Sequence, residues 1–136
     1  MRFETKIAVI VRDDLPTWQK LNMTTFLVSG IAATNPESMG EPYADASGQQ
    51  YLPMFGQPVL VFCATAEQIR ASYERAMARD LACAIFTEEL FTTGNDDDNR
   101  AAVRAVASAD LQLAGMALRA PRKAVDAVVK GLSLHP

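Results

Sequence analysis

The sequence is poor in the residues that most often announce a function. It has one histidine, His135, two cysteines, Cys63 and Cys83, and one tryptophan, Trp18, in 136 residues. A zinc site or a Cys–His nucleophile pair therefore has almost no raw material, and no CxxC is present. Each cysteine sits inside an apolar run, which suits a small buried hydrophobe better than a disulfide partner. No signal-peptide pattern precedes the first strand candidate, so a reduced, cytoplasmic and metal-free protein without cofactor is expected. A basic excess is lacking too. Thirteen Lys and Arg stand against 16 Asp and Glu, a net charge of −3, and the basic residues are scattered. Nucleic-acid binders draw affinity from phosphate neutralisation, so tRNA is not an expected partner. No window of about 20 residues is free of polar groups, so no membrane span is expected.

What remains is a chain that is 49% apolar, too apolar for disorder and long enough for one core. A single domain over residues 1–136 is expected. The run Lys6–Val11 is continuous and β-branched, the pattern of a strand covered on both faces. Thr17 is then the expected cap of a helix over Trp18–Ala33, with one apolar stripe at Leu21, Thr25, Val28 and Ala32 and another at Met23, Phe26, Leu27 and Ile31. A helix apolar on two sides is expected to be mostly buried. Asn35–Gly56 holds three prolines and three glycines and reads as a long loop or short hairpin. Within it, Tyr43 and Asp45 belong to a stretch that either lines a site or is an ordinary surface excursion.

The second half alternates strand and helix. Pro58–Ala64 is a strand. Thr65 and Gln68 form a capping box for a helix carrying Ile69, Tyr73, Ala76 and Met77 on one face. Leu81–Phe86 is a further strand, and this strand–helix–strand order implies parallel neighbours. Asp96–Asp98 are consecutive rather than alternately spaced, so a helix start suits them better than a calcium loop. A short helix capped by Asp98 or Asn99 is expected over Arg100–Ala107, a fourth strand over Leu111–Leu118, and a last helix after Pro121 with Val125, Val128, Val129 and Leu132 as its buried stripe and Gly131 as its C-cap.

This order of elements resembles the type II peptidyl-tRNA hydrolases. The opening Ile10-Val11-Arg12-Asp13-Asp14-Leu15, with Lys20 at the helix entry, resembles that family's buried strand, Arg-x-Asp-Leu turn and helix entry. The Pro58–Ala64 strand, its capped helix and the Leu81–Thr87 strand are similar to the family's middle, and Leu111–Leu118 to its close. The phrases Glu41-Pro42-Tyr43-x-Asp45-Ala46-Ser47-Gly48 and Gly131-Leu132-Ser133-Leu134-His135-Pro136 resemble a bacterial family of unknown function in the same superfamily. The resemblance implies a three-layer α/β/α sandwich with a mixed, mainly parallel sheet of about four strands. It places Lys20, Glu88 and Thr92 as candidate catalytic residues and Asp14, Thr24 and Thr93 with Tyr43 and Asp45 as candidate binding residues.

The motif is altered, however. Thr24 and Thr93 stand where the hydrolases carry glutamine, Glu88 where they carry aspartate, and Leu90 where the turn has glycine. Ester hydrolysis needs a group to take the water's proton and a donor for the oxyanion. A carboxylate at Glu88 as base with Lys20 as the electrostatic donor would supply both, and a solvated ion pair at the sheet rim is the plain alternative. The expectation is a peptidyl-tRNA hydrolase II-like protein that binds a small or acyl-type ligand at the strand ends, with the parent activity altered or lost. Two alternatives stay open: a non-enzymatic homodimeric binding or regulatory module, and an active peptidyl-tRNA hydrolase.

Overall fold

The computed structural model describes residues 2–136. They form a mixed α/β fold with a five-stranded, mostly antiparallel sheet, a separate two-stranded hairpin and four α-helices. The main strands are β1 (Thr5–Arg12), β4 (Val59–Ala64), β5 (Ala84–Thr87), β6 (Leu113–Pro121) and β7 (Ser133–Leu134). Between β1 and β4, Tyr43–Ala44 (β2) and Gln50–Tyr51 (β3) make the hairpin. The helices are α1 (Thr17–Thr34), α2 (Ala66–Ala78), α3 (Asp96–Arg104) and α4 (Arg122–Val128).

Strand order across the sheet is β5-β6-β1-β4-β7. Only β1 and β4 pair in parallel; β1–β6, β5–β6 and β4–β7 are antiparallel. The expectation of a mainly parallel four-stranded sheet is therefore corrected. Strands β1, β4 and β5 do run the same way, but β4 and β5 are not neighbours, because β1 and β6 lie between them. The burial pattern gives the reason. All but two of the nine β6 residues are buried, on both faces, so β6 needs a central place. Strand β5 has four residues and suits an edge, where a short strand leaves few open backbone groups. The last two-residue strand, β7, is too short to read from its sequence and closes the other edge.

Alternation along β1 divides the core. Ile7, Val9 and Val11 face α1 and pack with Met23, Leu27 and Ile31. Ala8 and Ile10 face the opposite way and pack with Ile69, Tyr73 and Ala76 of α2 and with Val125 and Val128 of α4. The capping box expected at the start of α2 is present: Gln68 N–H donates to Thr65 Oγ1 at 3.1 Å, and Thr65 N–H to Gln68 Oε1 at 2.9 Å. In the buried seam between α2 and α4, the Ser72 hydroxyl donates to the Val128 carbonyl at 2.8 Å. Helix α4 ends sooner than expected: its C-cap is Val129, whose N–H donates to the Val125 carbonyl at 3.0 Å, and Gly131, at φ +86°, instead turns the chain two residues later toward β7.

Three other expectations about helices change. Helix α1 buries only one stripe, and Trp18, Leu21 and Phe26 are exposed on the others. Its capping residue is Pro16, with Thr17 already helical. Helix α3 starts four residues earlier than expected, because Asn95 rather than Asp98 or Asn99 caps it: Asn95 Oδ1 accepts from Asp98 N–H at 2.9 Å. The three aspartates then fill its first turn, where the helix dipole favours them.

Gly115 on β6 leaves room for the α1 side chains Met23 and Leu27. A Cβ there would lie 2.6 Å from Met23 Sδ and 3.0 Å from Leu27 Cδ1, and both side chains are buried. Gly115→Ala is expected to lower the unfolding free energy by about 1–3 kcal/mol, the usual cost of overpacking. Adding Met23→Val should recover part of that loss in urea denaturation. Equal stability of Gly115→Ala and wild type would contradict this packing.

Candidate functional site

The C-terminal ends of β1, β4 and β5 lie at one end of the sheet, together with the start of β6. That is where open α/β sheets place ligands. Arg12, the last residue of β1, is the hinge of this end. A buried guanidinium requires carboxylate or carbonyl partners, and Arg12 has three. Its Nε donates to Asp14 Oδ1 at 2.6 Å, and its Nη1 donates to Glu88 Oε1 at 2.6 Å and to the Leu113 carbonyl at 3.3 Å. Its side chain is 11% exposed, against 61% for Asp14 and 46% for Glu88. Burial opposes the charge on Arg12, but the hydrogen bonds to Asp14 and Glu88 outweigh it and hold the pKa above the ordinary arginine value.

Glu88 opens a 3-10 turn, Glu88–Phe91, that leaves β5. Glu88 N–H donates to the Gln112 carbonyl at 3.0 Å and Thr92 N–H to the Glu89 carbonyl at 3.1 Å. Arg12 therefore fixes a turn 76 positions away in the chain. The turn directs Leu90 and Phe91 toward α1 and α3. Phe91 lies 4.8 Å from Phe86, ring centre to ring centre, and 6.2 Å from Trp18 in an edge-to-face arrangement. Phe86 in turn lies 6.1 Å from Phe26. The four rings form a continuous aromatic wall.

This wall lines a groove between α1 and α3. One cavity of about 500 Å³ at its strand-end side touches Trp18, Asn22, Phe91 and Thr93. A second of about 590 Å³ runs on to Gly30, Ala84, Val103 and Arg104. Phe26, Phe86, Leu90, Asp96 and Asn99 line both. Each volume lies within the range of small-molecule sites. A smaller cleft of about 430 Å³ on the α2 side of Arg12 is walled by Glu67, Arg70, Glu74 and Gln112. There Arg70 is already held by Glu74, at 3.2 Å, and by the Ser108 carbonyl, at 2.8 Å.

The residues singled out from the sequence distribute as follows. Asp14 and Glu88 come together, with Arg12 between them. Lys20 lies elsewhere: its Nζ is 3.2 Å from His135 Nε2. His135 is carried there by the end of the chain, whose backbone N–H donates to the Val61 carbonyl at 2.8 Å. Thr92 turns its hydroxyl back to the Glu89 carbonyl at 2.9 Å and faces solvent. Thr24 donates to the Leu21 carbonyl at 2.9 Å within its own helix. Thr93 lines the groove, with its hydroxyl on Asn99 Oδ1 and on the Leu90 carbonyl at 3.2 Å. Lys20 and Glu88, considered as a pair from the sequence, thus have different partners.

Tyr43 and Asp45 sit on the hairpin. Asp45 closes its turn by accepting from Ser47 N–H at 2.9 Å, Gln49 N–H at 3.0 Å and the Tyr51 hydroxyl at 2.7 Å. The Tyr51 hydroxyl, ahead of the backbone donors, holds the Asp45 carboxyl below the usual carboxylate range. At its base, Arg119 ties the long loop to β6 by donating to Gln57 Oε1 at 3.0 Å, Asn35 Oδ1 at 3.2 Å and Glu37 Oε1 at 2.8 Å.

Both cysteines are free. Burial pushes the Cys83 thiol up to about 11, so it stays protonated at neutral pH and is a poor nucleophile. Among the described residues no group of three or more His, Cys, Asp or Glu is placed to hold a metal ion. No helix there is long and apolar enough to cross a membrane.

Sequence reasoning missed Arg12 and the aromatic groove. Two signals were available. An arginine ending a fully apolar strand run has to be paired. Trp18, Asn22 and Phe26 recur every four residues and so share one helix face.

Three comparisons bear on these features. Residues 5–136 match the model of a family described as a protein of unknown function, DUF2000. No curated protein matches the chain. A solved structure of a protein of unknown function from Agrobacterium tumefaciens strain C58 is similar over 99% of this chain and 100% of that one, with 46% identity and a TM-score of 0.97.

Proposed function

The chain belongs to the DUF2000 family, and from that premise we propose that it is a small-ligand-binding protein of the peptidyl-tRNA hydrolase II kind. Its site is the groove between α1 and α3, and its ligand is a small acyl-type molecule. The single observation that carries this reading is the aromatic wall Trp18–Phe91–Phe86–Phe26 beside a strand end, with the polar groups of Asn22, Thr93 and Asn99 around it. An apolar body fits such a wall, and amide and hydroxyl groups orient a carbonyl. Helices packed on opposite faces of the sheet support the three-layer α/β/α arrangement that this kinship requires.

The catalytic roles of Lys20, Glu88 and Thr92 belong to the same proposal. Their surroundings support an altered or lost parent activity. Glu88 is engaged by Arg12, Lys20 by His135, and the Thr92 hydroxyl by its own turn. With the net charge of −3 they give no support to tRNA as the partner.

An uncharged acyl ester such as N-octanoyl-glycine methyl ester tests this directly, because Trp18 is the sole tryptophan and lines the groove. The expected result is a saturable change in Trp18 fluorescence that Phe26→Ala weakens roughly tenfold, the equivalent of about 1.4 kcal/mol of lost apolar contact. Absence of saturable binding contradicts the reading. In the same samples, ester turnover unaffected by Lys20→Ala and Glu88→Ala removes both residues from any mechanism.

A second reading, a homodimeric module, rests on the hairpin. Tyr43, Tyr51, Leu52 and Met54 are at least half exposed there. Four large apolar or aromatic side chains exposed within twelve residues of chain are the feature that supports an interaction surface. Light scattering at twice the monomer mass, reverting to the monomer in Leu52→Asp, is the outcome this reading expects. A monomer at every concentration removes it.

A further inference from the structure

We infer that the groove takes an amphipathic monocarboxylate, its apolar body against Phe26, Phe86 and Leu90 and its carboxylate on Arg104. The inference deepens the proposed ligand-binding reading of the groove and rests on it. It comes from the charged groups that line the larger cavity, which are Asp96, Arg100 and Arg104. Asp96 and Arg100 neutralise each other at 2.5 Å, and Arg100 also holds Asp97 at 2.9 Å. Arg104 has no carboxylate within ion-pair distance among the described residues. It is the groove's one uncompensated charge.

The placement of Arg104 defines the ligand's polarity. It lines the end of the groove formed by Gly30, Ala84 and Val103, away from Trp18 and Phe91. Gly30 keeps that end open, because the glycine puts no side chain opposite Ala84. A Cβ there would sit in ordinary contact with Ala84 Cβ, at 3.5 Å, and only a larger side chain would fill that end. The last-turn position of Arg104 favours its charge through the helix dipole, yet leaves the guanidinium's donors available. One guanidinium matches one carboxylate in a bidentate pair. A phosphate dianion suits the site less well, since a single cation serves it and Asp96, Asp97 and Asp98 repel additional negative charge. Between Arg104 and the strand end Phe26, Leu27, Ile85, Phe86 and Leu90 make the apolar part of the lining, beside the polar Ser29 and Asn99 and the mutually paired Asp96 and Arg100, so the rest of the ligand is mainly apolar.

The test compares octanoate with octanol, which share an apolar body and differ in the charged group. Both are titrated into the full chain at neutral pH and followed by Trp18 fluorescence and by amide shifts of α3. Octanoate is expected to bind roughly tenfold tighter than octanol, in keeping with a charge-assisted pair. The preference should shrink as salt is raised. In Arg104→Gln the acid should lose that tenfold while the alcohol is unchanged. Arg104 is exposed on its helix, so the variant keeps its fold. Equal affinities in the wild type overturn the carboxylate assignment and leave the groove reading standing, provided the ester probe binds. An equal loss for both ligands in Arg104→Gln overturns it as well. Failure of all three probes overturns the groove reading together with this inference.

Discussion

One buried cation organises the end of this sheet. Arg12 has to leave water because the strand it terminates is the second from last in no direction: β1 lies at the centre, with β6 on one side and β4 on the other. Its charge is compensated by Asp14, two residues on, and by Glu88, at the far side of β6. Truncating one partner of such a network leaves charge in low dielectric, which is why paired groups of this kind hold distant segments in register. Here the segment held is the Glu88–Phe91 turn. The Leu113 carbonyl, at 3.3 Å from the same guanidinium, fixes the start of β6 as well.

From that turn the rest of the site follows. Leu90 and Phe91 follow the anchored Glu88 in the same turn and line the groove. Phe86, nearly fully buried, joins them to the core below α1. Helix α3 closes the groove's other wall without burying any residue of its own. Its position depends on Asn95 capping, on the Thr93–Asn99 hydrogen bond and on the Glu88–Phe91 turn it packs against. The rigid part of the site thus sits on the sheet, and its least supported part is the helix that carries Arg104.

The sequence was most informative where local chemistry decides the outcome. The β1 run, the capping box at Thr65 and Gln68, the stripe Val125, Val128 and Val129, and the turn at Gly131 all reflect short-range rules. Strand order was not legible, because β4-α2-β5 has the signature of a parallel neighbour pair and nothing local shows that β6 will insert between β1 and β5. The candidate site was half legible. Asp14, Glu88 and Thr93 stand close to the groove or its anchor, since chain order brings them to strand ends. Lys20 is on the expected helix turn, yet its partner His135 arrives with a two-residue strand that carries no pattern of its own. Leu21 and Phe26 were read as core, because periodicity reports which residues share a helix face and not whether another element covers that face.

Arg12 holds the Glu88–Phe91 turn, and with it the strand-end wall of the groove, in place. Amide hydrogen exchange on Arg12→Met measures it most directly, since methionine keeps the apolar stem and removes the charge. The Glu88 and Thr92 amides, which donate to Gln112 and Glu89, should exchange at least about tenfold faster, while Val9 and Met116 in the central strands keep their protection. Unchanged exchange at Glu88 and Thr92 would contradict the account.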